Sequence, residues 1–282
     1  MKQLGAFLLL ACVAIVLYRT YNTKRAIEIR ISGSDVVSNI LENKIKKYLA
    51  DTYQQTKEIT TQIDKSKRFE GIVLGSNRLT IILEYANSEY GIQTLLYNKD
   101  VILSMSSVEQ PSEKINQLGI REFLIGYDTI MVVSNITVAK PSFQKIIEAY
   151  DGKNQNTKLL IGLYKPLSFG TSIKFKEFIE KEAKLTGFSD FNFNSNKEYI
   201  VDDTQEMLSK ISQNNQFIGY VSSTELYRHD NNFKQLNIFH YDPRNQSKLK
   251  RGLYLYYNSN HVSINEIDTY EEFIKKVLKV QL

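Results

Sequence analysis

The sequence predicts an α/β fold, and three observations support this prediction. Residues 26–31 alternate apolar and polar side chains, which is the pattern of a half-buried strand. A small polar loop at residues 32–35 follows, and apolar residues then recur at helical spacing from Val37 to Leu49. The order of strand, small polar loop and helix returns several times along the chain. Repeated units of this kind are typical of α/β proteins.

The other elements continue this order. Residues 79–85 and 100–105 are strand-like, and residues 91–97 begin a helix between them. The remaining predicted elements are strands at 130–133, 159–164, 217–221, 236–241 and 253–257 and helices at 142–150, 172–185, 204–212 and 266–280. No low-complexity linker interrupts the chain, so we expect any two lobes to be joined by strands.

Composition and charge exclude several classes of protein. The 282 residues are 42% hydrophobic and 24% charged, which is enough for one large domain or two lobes. The net charge is only +5, and basic residues alternate with acidic ones, so we expect no nucleic-acid partner. Cys12 is the only cysteine, which excludes an intramolecular disulfide and a cysteine-based zinc site. The three histidines are too scattered for a metal motif, and we expect no metal or cofactor.

Residues 1–25 predict an export signal or a membrane anchor. An uninterrupted apolar run from Leu4 to Tyr18 lies between Lys2 and a basic cluster. A run of about 15 residues is short for a membrane span, but flanking lysines and arginines can reach the interface. Because no cleavage site is visible, we favour an uncleaved anchor helix. Cys12 lies in a stretch similar to a lipoprotein box, so lipidation of Cys12 is a second hypothesis.

Hydroxyl side chains follow the predicted strands at points where helices begin. Ser34, Ser88, Ser106 and Thr171 are the residues concerned. Backbone N–H groups at helix N-termini bind oxyanions, and neighbouring hydroxyls add donors. The alternative is that each hydroxyl only caps a helix. Both interpretations remain open at this point.

The loops resemble those of the phosphate-binding receptors of bacterial phosphate ABC importers. Gly33, Ser34 and Asp35 are similar to the Gly-Ser-Asp-Thr loop of that family, and residues 87–92 keep Ser88 and Gly91 of its Gly-Ser-Gly-x-Gly-Ile loop. Further similar segments, in the family's order, are residues 100–106, 127–135, 147–153 and 218–221. The resemblance spans residues 27–257 as scattered motifs.

The resemblance implies a type 2 periplasmic-binding-protein fold, with two α/β lobes that each contain a mixed sheet. Lobe I would consist of residues 26–131 and 226–282, and lobe II of residues 132–225. The family captures its solute outside the cytoplasm and passes it to ABC permease subunits. We therefore expect the body on the periplasmic or cell-surface side, anchored to the inner membrane by residues 1–25. The basic residues after the apolar run favour the opposite orientation, so the resemblance must override that rule.

The resemblance also implies which residues bind phosphate or a similar oxyanion. The family's second loop reads Arg-x-x-x-Ser-Gly-Thr, and residues 165–171 keep its glycine and threonine. Lys165 replaces the arginine and Phe169 replaces the serine, although a serine precedes it by one position. Asp35 would accept the proton of a protonated oxyanion and so discriminate against sulfate, unless it only caps a helix. The expected ligand residues are Ser34, Asp35, Ser88, Ser106, Lys165, Ser168, Gly170 and Thr171.

Two other classes compete with a receptor. An anchored sensor or scaffold could keep the fold with a degenerate anion site, which the changes at Lys165 and Phe169 favour. A hydrolase is the third class. The sequence contains no Gly-x-Ser-x-Gly elbow, no Walker loop and no histidine and carboxylate paired with a nucleophile, so we expect no enzyme.

Overall fold

The structure is a computed structural model, and it describes residues 27–61, 66–72, 78–135, 141–152, 160–188, 191–193, 197–229, 236–239, 249–262 and 266–279. The strands are β1 (Ile27–Ser34), β2 (Gln55–Thr61), β3 (Ser66–Ile72), β4 (Arg78–Ala86), β5 (Leu103–Ser106), β6 (Ile120–Ser134), β7 (Ile161–Gly162), β8 (Phe217–Ser222), β9 (Asn237–Phe239) and β10 (Lys250–Asn258). The α-helices are α1 (Asp35–Thr52), α2 (Ser88–Tyr97), α3 (Ser112–Gln117), α4 (Phe143–Tyr150), α5 (Gly170–Leu185), α6 (Thr204–Gln213), α7 (Ser223–His229) and α8 (Ile267–Leu278). The predicted α/β class is confirmed.

One compact unit is formed by the described residues within 27–31, 42–84 and 262–279. Its strands follow the order β2-β3-β4-β1, and β3 is antiparallel to both β2 and β4. The buried residues of helix α8 are three and four positions apart, so they form one apolar stripe. An amphipathic helix packs such a stripe against the core. Tyr48 of α1 meets Phe273 of α8 edge to face, with ring centroids 5.6 Å apart.

The other compact unit consists of residues 32–41 and 85–261. Its strands follow the order β5-β10-β6-β8-β7, with β9 also paired to β6. Strand β10 is antiparallel to β5 and β6, whereas β7 is parallel to β8, so the sheet is mixed. Tyr150 lies in the apolar core, with its ring centroid 4.9 Å from that of Phe175. The predicted lobe boundaries, 26–131 with 226–282 and 132–225, remain a prediction.

Several elements differ from the predicted ones. β1 continues through Ser34, where the sequence predicts a loop, because Gly33 lets the strand run close against the backbone of Met105. Helix α2 begins at Ser88, earlier than predicted, because the Asn87 side chain accepts a hydrogen bond from the N–H of Tyr90 and caps the helix. The sequence does not predict β2, since that strand is almost entirely exposed and has no apolar alternation.

The described residues contain no helix that is both long enough and apolar enough to cross a membrane. The predicted anchor at residues 1–25 and its Cys12 lie outside the described residues.

Glu42 in α1 is held by two lysines. Its carboxylate lies 2.8 Å from Lys46 Nζ and 2.9 Å from Lys67 Nζ. Burial acts to raise the pKa of Glu42, but the hydrogen bonds from the two lysines outweigh burial and lower this pKa below its usual range. A carboxyl group with a lowered folded-state pKa stabilises the fold above its unfolded-state pKa. This contribution is lost as the pH falls through the folded-state pKa.

We expect Glu42→Gln to lose less stability than the wild type when the pH is lowered from about 7 to about 3. The two losses should differ by about 1 kcal/mol, the upper range for partly exposed ion pairs. Urea unfolding at each pH measures both. Glu180→Gln is the matched control, since its exposed carboxylate lies 3.7 Å from Lys176 Nζ, and it should follow the wild type. Equal losses in wild type and Glu42→Gln would contradict the expectation.

Candidate functional site

Ser107, which directly follows β5, lies at the centre of a buried polar cluster. Its Oγ lies 3.1 Å from Ser88 Oγ, accepts a hydrogen bond from Ser34 Oγ at 3.4 Å, and accepts another from Arg251 Nη1 at 3.0 Å. The N–H of Ser107 donates to Ser88 Oγ at 3.0 Å. All four side chains are buried. The fold therefore brings together hydroxyls that are far apart in the sequence.

Three helices begin at this cluster. Ser34 directly precedes α1, Ser88 is the first residue of α2, and Thr171 is the second residue of α5. Thr171 Oγ1 accepts a hydrogen bond from Arg251 Nη2 at 2.9 Å, which joins α5 to the other two. The N-terminus of each helix carries a partial positive charge and N–H groups without intrahelical partners. The cluster is thus electropositive even where its side chains are neutral.

Arg251 and Asp128 form a buried ion pair inside the cluster. The two residues lie directly opposite each other on β10 and β6. Nε and Nη2 of Arg251 donate to Asp128 Oδ2 at 3.0 and 2.9 Å, and the two side chains are 3% and 0% exposed. The other carboxylate oxygen accepts from Ser223 Oγ at 2.7 Å and from the N–H of Thr224. Such complete pairing offsets the large cost of removing two charges from water.

Gly170 allows α5 to approach Ser107. A Cβ atom at this position would lie 2.3 Å from Ser107 Oγ and 2.8 Å from Val108 Cγ2. These distances are too short for any side chain. A side chain at the start of α5 would therefore displace the Ser107 hydroxyl from the cluster or push α5 away from it.

Four of the residues predicted from the sequence lie in this cluster, namely Ser34, Ser88, Gly170 and Thr171. Ser106 does not contribute its hydroxyl, because Ser106 Oγ donates to the carbonyl of Val108 and accepts from the N–H of Val108 in a tight turn. The hydroxyl of its neighbour Ser107 lies in the cluster instead. The capping role considered for Ser88 belongs to Asn87.

The side chain of Lys165 contacts Thr204 and Glu225, which do not belong to the cluster around Ser107. Its Nζ donates to Thr204 Oγ1 at 2.7 Å and lies 3.6 Å from a carboxylate oxygen of Glu225. The same Nζ lies 5.4 Å from the centroid of the Phe169 ring. Lys165 is buried, so Glu225 balances its charge within the protein. The structure thus places this lysine with Glu225 and not with Ser107.

The two other predicted residues lie next to the cluster. Ser168 is half-buried in the turn that precedes α5. Asp35 begins α1 directly after Ser34 and is also half-buried, and its backbone carbonyl accepts a hydrogen bond from Ser38 Oγ at 2.7 Å. The proposed contacts of both with a ligand remain predictions.

The sequence-based prediction omits Ser107, Asp128 and Arg251. One signal for Arg251 is present in the sequence, because it lies two positions before the buried Leu253 and four before the buried Leu255. Alternate residues of a strand share a face, so this arginine points with the leucines to the interior. A charged residue in phase with an apolar face indicates a buried partner.

Within the described residues, no group of three or more His, Cys, Asp or Glu side chains could hold a metal ion. The cluster instead offers hydroxyls, helix N-termini and one guanidinium. These groups are donors suited to an oxyanion.

No protein-family model and no curated protein sequence matches the chain. Solved structures do match. An ABC-type phosphate transport receptor from Vibrio cholerae aligns with 90% of this chain and 94% of its own, at 17% identity and a TM-score of 0.55. A substrate-binding protein assigned to a phosphate ABC transporter, with bound phosphate, from Clostridium perfringens aligns with 89% of this chain and 98% of its own. The identity is 16% and the TM-score is 0.53. The sulfate-bound regulatory domain of OxyR2 from Vibrio vulnificus aligns with 90% of this chain and 96% of its own, at 10% identity and a TM-score of 0.53.

The chain therefore has the fold of phosphate ABC transporter substrate-binding proteins, a fold that the regulatory domain of OxyR2 shares. The first two proteins are described as a receptor and a substrate-binding protein, not as enzymes.

Proposed function

We propose that this chain is an extracytoplasmic solute-binding protein that captures phosphate or a related oxyanion for an ABC importer. The observation that supports the proposal is the convergence of Ser34, Ser88 and Thr171, at three helix N-termini, on Ser107 and Arg251. The likeness in fold to a substrate-binding protein with bound phosphate adds support.

The anion would be held by hydroxyls, helix amides and the guanidinium together. An arginine side chain has five N–H donors. Among the described residues, four of those of Arg251 are used, two by Asp128 and one each by Ser107 and Thr171. The remaining donor lies on Nη1. Serine and threonine hydroxyls rotate freely enough to turn their hydrogens towards an anion.

Asp128 would fix the guanidinium rather than contact the anion. Its two carboxylate oxygens already accept from Arg251, Ser223 and Thr224. The acceptor for the proton of a protonated oxyanion remains Asp35 in this proposal, next to Ser34. An unmatched acceptor there would disfavour fully ionised sulfate.

Residues 1–25 would tether the protein to the inner membrane, with its body on the periplasmic or cell-surface side. The two proposed lobes would close on the anion by a hinge and then deliver it to ABC permease subunits.

Isothermal titration calorimetry of the purified full-length chain tests the proposal. We expect inorganic phosphate to bind and sulfate to bind more weakly. Ser107→Ala should weaken phosphate binding about tenfold or more, because it removes a hydroxyl that would donate to the anion. Ser106→Ala is the matched control, since its hydroxyl bonds only within its own turn in the described structure. Absence of binding of both anions would exclude the proposal.

The alternative is an anchored sensor or scaffold with the same fold and a degenerate site. One observation favours it: Arg251 already occupies the hydroxyls of Ser107 and Thr171. The sulfate-bound regulatory domain of OxyR2 shows that the fold is not confined to transport receptors. Failure to bind phosphate and sulfate would favour this alternative.

A further inference from the structure

A cavity of about 360 Å³ adjoins the polar cluster. Ser107 and Arg251, which belong to the cluster, line it together with side chains from α5 and β10. Ser34, Ser88 and Thr171 do not line the cavity, and Gly170 packs against Ser107. An anion would therefore reach the cluster from the cavity and meet Ser107 and Arg251 first.

The cavity is much larger than an inorganic oxyanion requires. A water molecule takes a share of about 30 Å³ in the liquid, so the cavity has room for roughly a dozen waters. Phosphate has five non-hydrogen atoms and would fill only a small part of that space. Cavities that bind organic molecules begin at about 300 Å³. An anion bound from one side also keeps one oxygen directed back into the cavity.

The lining of the cavity is largely polar. The Tyr254 hydroxyl donates to Glu109 Oε2 at 3.4 Å, and Lys174 Nζ lies 3.6 Å from Glu177. Burial, with the nearby Glu109 carboxylate, raises the pKa of Tyr254 to about 12, so its hydroxyl stays protonated at neutral pH. Lys250 also lines the cavity, with its Nζ 4.1 Å from the centroid of the Tyr127 ring. Hydroxyl groups on a ligand would find both donors and acceptors here.

We propose that the site binds a small hydroxylated phosphate monoester, with the phosphoryl group at Ser107 and Arg251 and the carbon chain in the cavity. A monoester keeps three oxygens for the cluster, and its fourth oxygen leads into the cavity. This inference rests on the proposed oxyanion-binding function and specifies its substrate class.

The test compares glycerol 3-phosphate with inorganic phosphate by calorimetry of the full-length chain. We expect glycerol 3-phosphate to bind about tenfold more tightly or better. Ile173 lines the cavity from α5 and makes none of the named cluster contacts. Ile173→Trp should narrow the cavity and weaken glycerol 3-phosphate about tenfold, while phosphate binding changes less than about threefold. Ile173→Leu, with equal volume, is the matched control and should bind both as the wild type does.

Each outcome separates the two proposals. If phosphate binds and glycerol 3-phosphate binds no better, the monoester inference is overturned and the oxyanion function stands. If neither binds, both are overturned. Equal binding of the ester by wild type and Ile173→Trp also overturns the inference. Should Ile173→Trp fail to fold, Tyr254→Phe decides, since loss of its hydroxyl should weaken only the ester, and an unchanged affinity would overturn the inference.

Discussion

Asp128→Asn is expected to lower the free energy of unfolding by about 3–5 kcal/mol, because it leaves the Arg251 charge buried and uncompensated. The guanidinium and the carboxylate are 3% and 0% exposed, so water cannot replace the lost partner without opening the sheet. Arg251→Met alone should cost a similar amount, since it strands the carboxylate. Urea unfolding followed by circular dichroism measures both.

The double variant Asp128→Leu/Arg251→Met is the decisive comparison. Two apolar side chains bury well between neighbouring strands, and replacing a whole buried pair is often neutral or stabilising by about 1–4 kcal/mol. We expect the double variant to recover most of the stability that either single variant loses, and yet to bind no phosphate. A double variant as unstable as the sum of the single variants would give a coupling energy of zero, and would contradict the expectation that the two charges stabilise each other.

Gly33→Ala is expected to destabilise the protein by about 3 kcal/mol or more, the range for strained backbone and overpacking together. Gly33 has φ +134°, and a Cβ there would lie 2.2 Å from the carbonyl oxygen of Met105. Relief would require β1 and β5 to separate at the point where Ser34 reaches Ser107. The proposed binding of phosphate should therefore fall together with stability.

Gly187→Ala is the matched control for backbone strain. Gly187 also has a positive φ, +89°, but a Cβ there would meet no atom within 4 Å. It should cost only about 1 kcal/mol, the low end for a strained backbone conformation. If thermal unfolding gives equal losses for the two variants, the contact with Met105 contributes nothing.

Local sequence patterns predict most of the elements of this fold. The helical spacing from Val37 to Leu49 and the amphipathic stripe of α8 both lie in helices of the structure. Such patterns succeed because a helix or strand needs only an apolar face of the right period and a suitable residue at its start. The β2–β3 pair escapes prediction because β2 lacks such a face.

The candidate site is predictable only in part. Ser34, Ser88 and Thr171 are recognisable because they lie where strands end and helices begin. The choice of Ser107 over Ser106 depends on one tight turn at Val108, whose N–H and carbonyl engage Ser106. Two adjacent serines carry the same local information, so only the position of the backbone distinguishes them.

The amino-acid sequence by itself determined the α/β class, the order of most of the elements and the hydroxyls at the helix starts, since all of these follow from short-range periodicity and capping. The tertiary structure decided which charges meet. Arg251 and Asp128, 123 residues apart in the chain, pair because the register of β10 on β6 places them opposite each other. Lys165 likewise contacts Thr204 and Glu225 because the fold brings these residues, distant in the sequence, next to it. Long-range pairing of strands and helices is set by the packing of the whole core, and no local pattern encodes it.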